Sequence, residues 1–184
     1  MKSILRIIVA LIFIASGFVK AIDVIGFSFK LEEYFSPAVF NLPTIGGFSL
    51  FIAIFVVVLE LILGVALLIN FKIKKVLSIL ILLCVFFAFL TFYSAFYDKV
   101  TDCGCFGDAI KFTPWQSFAK DMILLVGLLI LWVLYKNDKE DNKISAKKIA
   151  LLISIFITAF IVVYGIIREP LIDFRHYKIG TNLI

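Results

Sequence analysis

Histidine and cysteine are almost missing from this sequence, with one His and three Cys in 184 residues. A structural zinc site needs about four ligands at set spacings. Cys103 and Cys105 supply two, and His176 lies far along the chain, so no metal site is expected. No HExxH pattern, nucleophile elbow or Gly-rich phosphate loop occurs, which leaves no motif for a zinc protease, an α/β-hydrolase or a P-loop NTPase. Internal repeats and low-complexity segments are absent too. Charge is also scarce: 17% of residues are charged and 63% are hydrophobic, against about 45–50% apolar in ordinary soluble domains. A soluble chain of this size could not hide that much apolar surface, so the composition predicts residence in a membrane.

What remains is a series of long apolar runs. The first covers about Ile4 to Ile22, with Lys2 and Arg6 at its start. It reads as a span and not as a signal peptide, because no small-x-small cleavage site precedes Asp23 and more spans follow. Residues 23–47 mix Phe27, Phe29, Leu31, Tyr34 and Phe35 with Lys30, Glu32 and Glu33, the pattern of a short helix in the interface plane. A second span is expected from Phe48 to Asn70, then a tight turn with Lys72, Lys74 and Lys75, then a third span from Val76 to Tyr97 with Tyr93 and Tyr97 as interface anchors. The fourth starts on a strong signal: Thr113 as N-cap, Pro114 at the first helical position and Gln116 closing a capping box. It runs to Tyr135, with Lys120 and Asp121 expected near the membrane surface, the alternative being that they line a pocket under the cysteine loop. A hydrophilic connector, 136–148, leads to a fifth span, 149–167, and a tail, 168–184.

Five spans put the two chain ends on opposite sides. One side carries Lys2, Arg6, Lys72, Lys74, Lys75, Lys136, Lys139, Lys143, Lys147 and Lys148 against Asp138, Glu140 and Asp141, all in short segments. The other side is close to neutral. Lys and Arg in short loops mark the cytoplasmic face, so the N-terminus is expected in the cytoplasm and the C-terminal tail outside, in a cell inner (plasma) membrane. The net charge of +5 is thereby a topology signal, and no nucleic-acid partner is needed to explain it.

The third-to-fourth connection, 98–113, holds Asp102-Cys103-Gly104-Cys105-Phe106-Gly107-Asp108. Outside the cytosol, paired thiols tend to be oxidised. A disulfide wants Cα atoms roughly 4.4–6.8 Å apart, so an i, i+2 pair needs a sharp turn, which Gly104 and Gly107 permit. Such a small ring is strained, and strained disulfides exchange readily. That favours Cys103 and Cys105 as a working redox pair, with a structural disulfide as the alternative. A helix N-terminus just downstream favours thiolate, Asp102 and Asp108 oppose it, and Lys99 and Lys111 partly offset them. Cys84 reads as a packing residue within the third span.

Glu60 falls mid-span, where a carboxyl marks a site or an internal partner. Lys20 and Ser16 are its candidate partners. Either a protonated Glu60 makes one interhelical hydrogen bond, or it handles protons or lines a quinone site beneath the cysteine loop. Gly17 and Gly64 are expected to let helices approach closely.

Ser16-Gly17-Phe18-Val19-Lys20-Ala21-Ile22-Asp23, Lys30-Leu31-Glu32-Glu33-Tyr34-Phe35, Glu60-Leu61 with Gly64, and the Cys-Gly-Cys-Phe-Gly element resemble the DoxX family, in the redox-associated branch that includes the methylamine utilisation protein MauE. The resemblance implies an all-α polytopic integral membrane protein: a four-helix transmembrane bundle over residues 1–135 plus a fifth transmembrane helix. It also implies a role in thiol–disulfide chemistry or in maturing exported redox proteins. The tail Pro170–Asn182 resembles the lead-in to an outer, often thioredoxin-like, domain of longer relatives. The expected function is thiol–disulfide exchange between Cys103–Cys105 and an extracytoplasmic thioredoxin-like protein, with Asp102, Gly104, Phe106, Gly107, Asp108, Glu60 and Lys20 in support and a membrane quinone as a possible electron carrier. Two other readings stay open: a non-catalytic assembly factor for an exported protein, and a small-solute transporter using Glu60.

Overall fold

The computed structural model describes residues 2–37, 39–97, 113–137 and 144–167. Seven helices occur among them: α1 (Lys2–Ile22), α2 (Val24–Phe35), α3 (Pro43–Gly46), α4 (Ser49–Leu68), α5 (Ile73–Tyr97), α6 (Pro114–Tyr135) and α7 (Ile144–Ile167). No strand occurs among the described residues. Five helices are long and apolar enough to cross a membrane: α1, α4, α5, α6 and, over Ala146–Ile167, α7. A bilayer core about 30 Å thick needs about 20 such residues, and each of these meets that length.

Heptad-like stripes decide which faces pack. The buried positions of α6 are Ser117, Asp121, Leu124, Leu128, Leu131 and Tyr135, alternating steps of four and three. On α1, Val9, Phe13, Ser16 and Lys20 are buried at the same spacing. α5 continues the pattern through Leu77, Leu80, Cys84, Phe87, Thr91 and Ser94. Such stripes suit helices crossing at shallow angles. α1 packs along α4 and α5 along α6, and contacts α4–α5 and α1–α6 close the four into a bundle. The half nearer the α4–α5 turn is a dense apolar cluster that includes Val9, Phe13, Leu67, Leu77, Leu80, Leu128 and Leu131. α7 lies outside this bundle against α1 and α4, as expected of a fifth helix added to four.

Two glycines set the α1–α4 register. A Cβ on Gly17 would sit 2.9 Å from Leu61 Cγ, and one on Gly64 would sit 2.9 Å from Ile14 Cγ1 and 3.2 Å from the Ile14 nitrogen. In this antiparallel register Ile22 ends α1 about two turns below the start of α4. Asp23 breaks the helix there and caps the next one, accepting from the Gly26 N–H at 2.9 Å. α2 then climbs beside α4. Its Val24, Phe27, Leu31 and Tyr34 are buried in a cluster with Ala53, Val56 and Val57 of α4, Leu90 of α5 and Val162 of α7. The helix expected in the interface plane is therefore packed into the bundle, with Phe29 and Glu32 on its exposed face.

Three boundaries differ from expectation. α5 begins at Ile73 and not Val76, so Lys74 and Lys75 lie in its first turn. The turn before it is as tight as expected, with Asn70 and Lys72 at φ of 57° and 40°. α7 begins at Ile144, so the last residues of the expected connector are helical, and Lys147 Nζ donates to the Asn70 carbonyl at 3.1 Å. The capping box on α6 forms as read: Gln116 N–H donates to Thr113 Oγ1 (3.4 Å) and Thr113 N–H to Gln116 Oε1 (3.0 Å).

Candidate functional site

The core stripes of the four bundle helices are apolar at the end that holds the α4–α5 turn and polar towards the end that holds the α5–α6 connection. One level carries Ser16 and Lys20 on α1, Glu60 on α4, Cys84 and Thr91 on α5, and Asp121 on α6. Each of these side chains is buried. Lys20 Nζ donates to Glu60 Oε2 (2.8 Å), Glu60 Oε1 (3.1 Å) and Ser16 Oγ (2.8 Å). Its three N–H donors thus meet three acceptors. The side chains of Lys20 and Glu60 are 1% and 2% exposed. The ammonium also lies 4.9 Å from the Phe87 ring centroid and 5.7 Å from that of Phe27, within cation–π range. An ion pair in such a place is tolerated only with this degree of compensation.

Glu60 accordingly makes more than the single interhelical hydrogen bond of one sequence reading. Lys20 reaches Glu60 because α1 ends so deep beside α4. Of the two partners that the sequence proposed for Glu60, Lys20 meets it directly, and Ser16 is bonded to Lys20.

A second pair faces the first. Asp121 Oδ1 lies 3.1 Å from Lys120 Nζ, and Asp121 Oδ2 accepts from Thr91 Oγ1 at 3.2 Å. The Cys84 thiol donates to the Asp121 backbone carbonyl at 3.3 Å, which keeps Cys84 in the packing role expected of it. Asp121 had been expected at the membrane surface. Its side chain is instead 5% exposed, while that of Lys120 is 22% exposed. The stripe Ser117, Asp121, Leu124, Leu128 was the signal that could have found it.

Between the two pairs is a cavity of about 10 Å³, lined by Ser16, Lys20, Glu60, Cys84, Lys120 and Asp121 with Ile12, Phe13, Phe87 and Leu124. That is room for about one water molecule. Buried Ser94 and Ser117 sit one turn further out than Thr91 and Asp121, on the same stripes of α5 and α6. Residues 98–112 join these two helices. Asp102, Cys103, Gly104, Cys105, Phe106, Gly107 and Asp108 lie outside the described residues, so the cysteine pair itself has no geometry here. Its helical anchors, Tyr97 and Pro114, stand about 9–10.5 Å along the helix axes from Thr91 and Asp121. No group of three or more His, Cys, Asp or Glu able to hold a metal occurs among the described residues.

Five apolar spanning helices, four of them around a compensated charge cluster, define a multi-pass membrane protein of the bilayer. The sequence matches the family of methylamine utilisation protein MauE over residues 1–135, the four-helix bundle with its loop, and the chain belongs to that family. Among curated proteins it is 30% identical over 169 residues to Protein TlpB of Flavobacterium psychrophilum, an alignment covering 84% of this chain and 43% of that protein. The chain thus spans less than half the length of that relative. No solved structure matches.

Proposed function

We propose that this chain is a membrane thiol–disulfide redox protein, a reading that also sets it within the wider DoxX group. The Cys103–Cys105 pair faces the extracytoplasmic side and exchanges with a thioredoxin-like or other exported redox protein. A thiolate of the dithiol form attacks the partner's disulfide, a mixed disulfide forms, and the second cysteine resolves it, leaving Cys103–Cys105 oxidised and the partner reduced. The reverse sequence oxidises the partner. The observation that carries the reading is the cysteine pair itself: Cys-Gly-Cys in the one connection that joins α5 to α6, inside the region matched to MauE.

The inside-out orientation has structural support. Lys2 and Arg6 open α1, Lys72, Lys74 and Lys75 flank the α4–α5 turn, Lys136 follows α6, and Lys147 and Lys148 begin α7. These ends gather at one side of the bundle, which is the cytoplasmic side on this reading. Coupling to a quinone, dithiol to disulfide with quinone to hydroquinone, gains no support from the cavity beside Glu60, which has room for a water and not for a quinone ring.

Trapping tests the exchange. Cys103→Ser and Cys105→Ser are each expressed in the membrane. Loss of the resolving thiol should leave a covalent, reductant-sensitive adduct with an exported thioredoxin-like protein in one of the two, and the double variant should give none. Lower stability in both single variants, with no adduct in either, contradicts exchange and leaves the assembly-factor reading.

A further inference from the structure

We propose that a single water molecule is a fixed part of the membrane domain, held in the cavity between the two buried pairs and bonded to Glu60 on one side and Asp121 on the other. The polar level is built in two halves. The Glu60 carboxylate on α4 is bonded to Lys20 on α1. The Asp121 carboxylate on α6 is bonded to Lys120 on its own helix and to Thr91 on α5. Among the described residues, neither carboxylate has a bond that crosses from the α1–α4 pair to the α5–α6 pair. The cavity lies at that seam. Ser16, Lys20 and Glu60 line it from one half, and Cys84, Lys120 and Asp121 from the other.

Both carboxylates have acceptor capacity to spare, since each offers about four lone-pair sites. Glu60 uses one site on each oxygen for Lys20, at 3.1 and 2.8 Å. Asp121 uses one on Oδ1 for Lys120, at 3.1 Å, and one on Oδ2 for Thr91, at 3.2 Å. Lys20 cannot fill the remaining sites, because its three N–H donors already go to Glu60 and Ser16. A water has two O–H donors, one for each acid. Lys120 is a donor in the same lining. A buried water needs two to four polar partners, and these groups supply them.

Size and charge select the occupant. The cavity is about 10 Å³, about what one water needs and too small for an organic molecule. Its lining holds as many basic as acidic side chains, Lys20 and Lys120 with Glu60 and Asp121. An added ion would leave one charge uncompensated in the membrane interior, which is costly. Water is neutral, and it places a partly positive hydrogen against each of two acids. The water thereby supplies a polar link between the two helix pairs on the side of the α5–α6 connection. Towards the α4–α5 turn, apolar packing of all four helices supplies the link instead.

A crystal structure of the full chain grown in a lipidic mesophase, at a resolution that shows ordered water, tests this. One peak is expected within about 2.5–3.0 Å of a Glu60 oxygen and of an Asp121 oxygen. It should be lost in Cys84→Met, whose longer side chain fills the cavity, with Lys20–Glu60 and Lys120–Asp121 still paired. It should remain in Cys84→Ala, which widens the cavity. It should remain too in the Cys103→Ser/Cys105→Ser double variant, so this site and thiol exchange fail separately. An empty cavity overturns the proposal, and so does a peak that touches one acid only or persists in Cys84→Met. A peak that gains anomalous signal from rubidium or bromide soaked into the crystals is an ion, and overturns it equally. Should Cys84→Met not fold, the wild-type map decides alone.

Discussion

Lys20 and Glu60 are costly to bury one at a time and cheap to bury together. Removing one partner of a buried pair leaves an uncompensated charge and typically costs about 3–5 kcal/mol, whereas replacing both by apolar residues of similar size is often neutral. Glu60→Gln and Lys20→Met should therefore each lower thermal stability sharply in nanodiscs. The double variant Lys20→Met/Glu60→Leu should recover most of the loss. Two additive losses would mean that the pair is not coupled. At this scale the sequence was informative about identity and less so about depth. Glu60 stood out because a carboxyl in an apolar run has no bland surroundings, and Ser16 and Lys20 fell on the facing helix. Asp121 was hidden by its neighbour: Lys120-Asp121 near a helix start looks like an interfacial pair, and only the stripe of buried positions separates the inward acid from the outward base.

Helix contacts here depend on places where backbone meets side chain directly. Gly64 is such a place, with the Ile14 nitrogen and Cγ1 where its Cβ would be. Gly64→Val should push α1 from α4 and cost about 1–3 kcal/mol, the usual range for overpacking. Gly47→Ala is the control: its Cβ would meet nothing nearer than the Thr44 carbonyl at 3.8 Å, and it should stay within about 0.5 kcal/mol of the parent. Equal melting temperatures for the two variants would count against the glycine-set register. The spans were legible because length and apolarity alone define them, and the α6 start because Thr113, Pro114 and Gln116 each carry an independent cap signal. α2 was legible as a helix but not in its seat. Its amphipathic face fits a bilayer surface as well as a groove, and the groove exists only because α1 stops two turns short of the start of α4, a fact of tertiary register.

The whole molecule combines an apolar half at its lysine-rich end, a polar level towards the other end, and a cysteine-bearing connection between α5 and α6. Its central claim is that Cys103 and Cys105 cycle between dithiol and disulfide on the extracytoplasmic side. The most direct measurement is a redox titration of the wild-type chain in oriented membranes, read with a membrane-impermeant thiol reagent applied from outside. Cys84, buried between α5 and α6, serves as the internal control. The account predicts that Cys103 and Cys105 react from outside when reduced, that Cys84 does not, and that the pair converts at a potential between about −120 and −270 mV, the range of known thiol–disulfide exchangers. A pair that stays oxidised down to below about −300 mV, as structural disulfides do, or thiols that react only after permeabilisation, would contradict it.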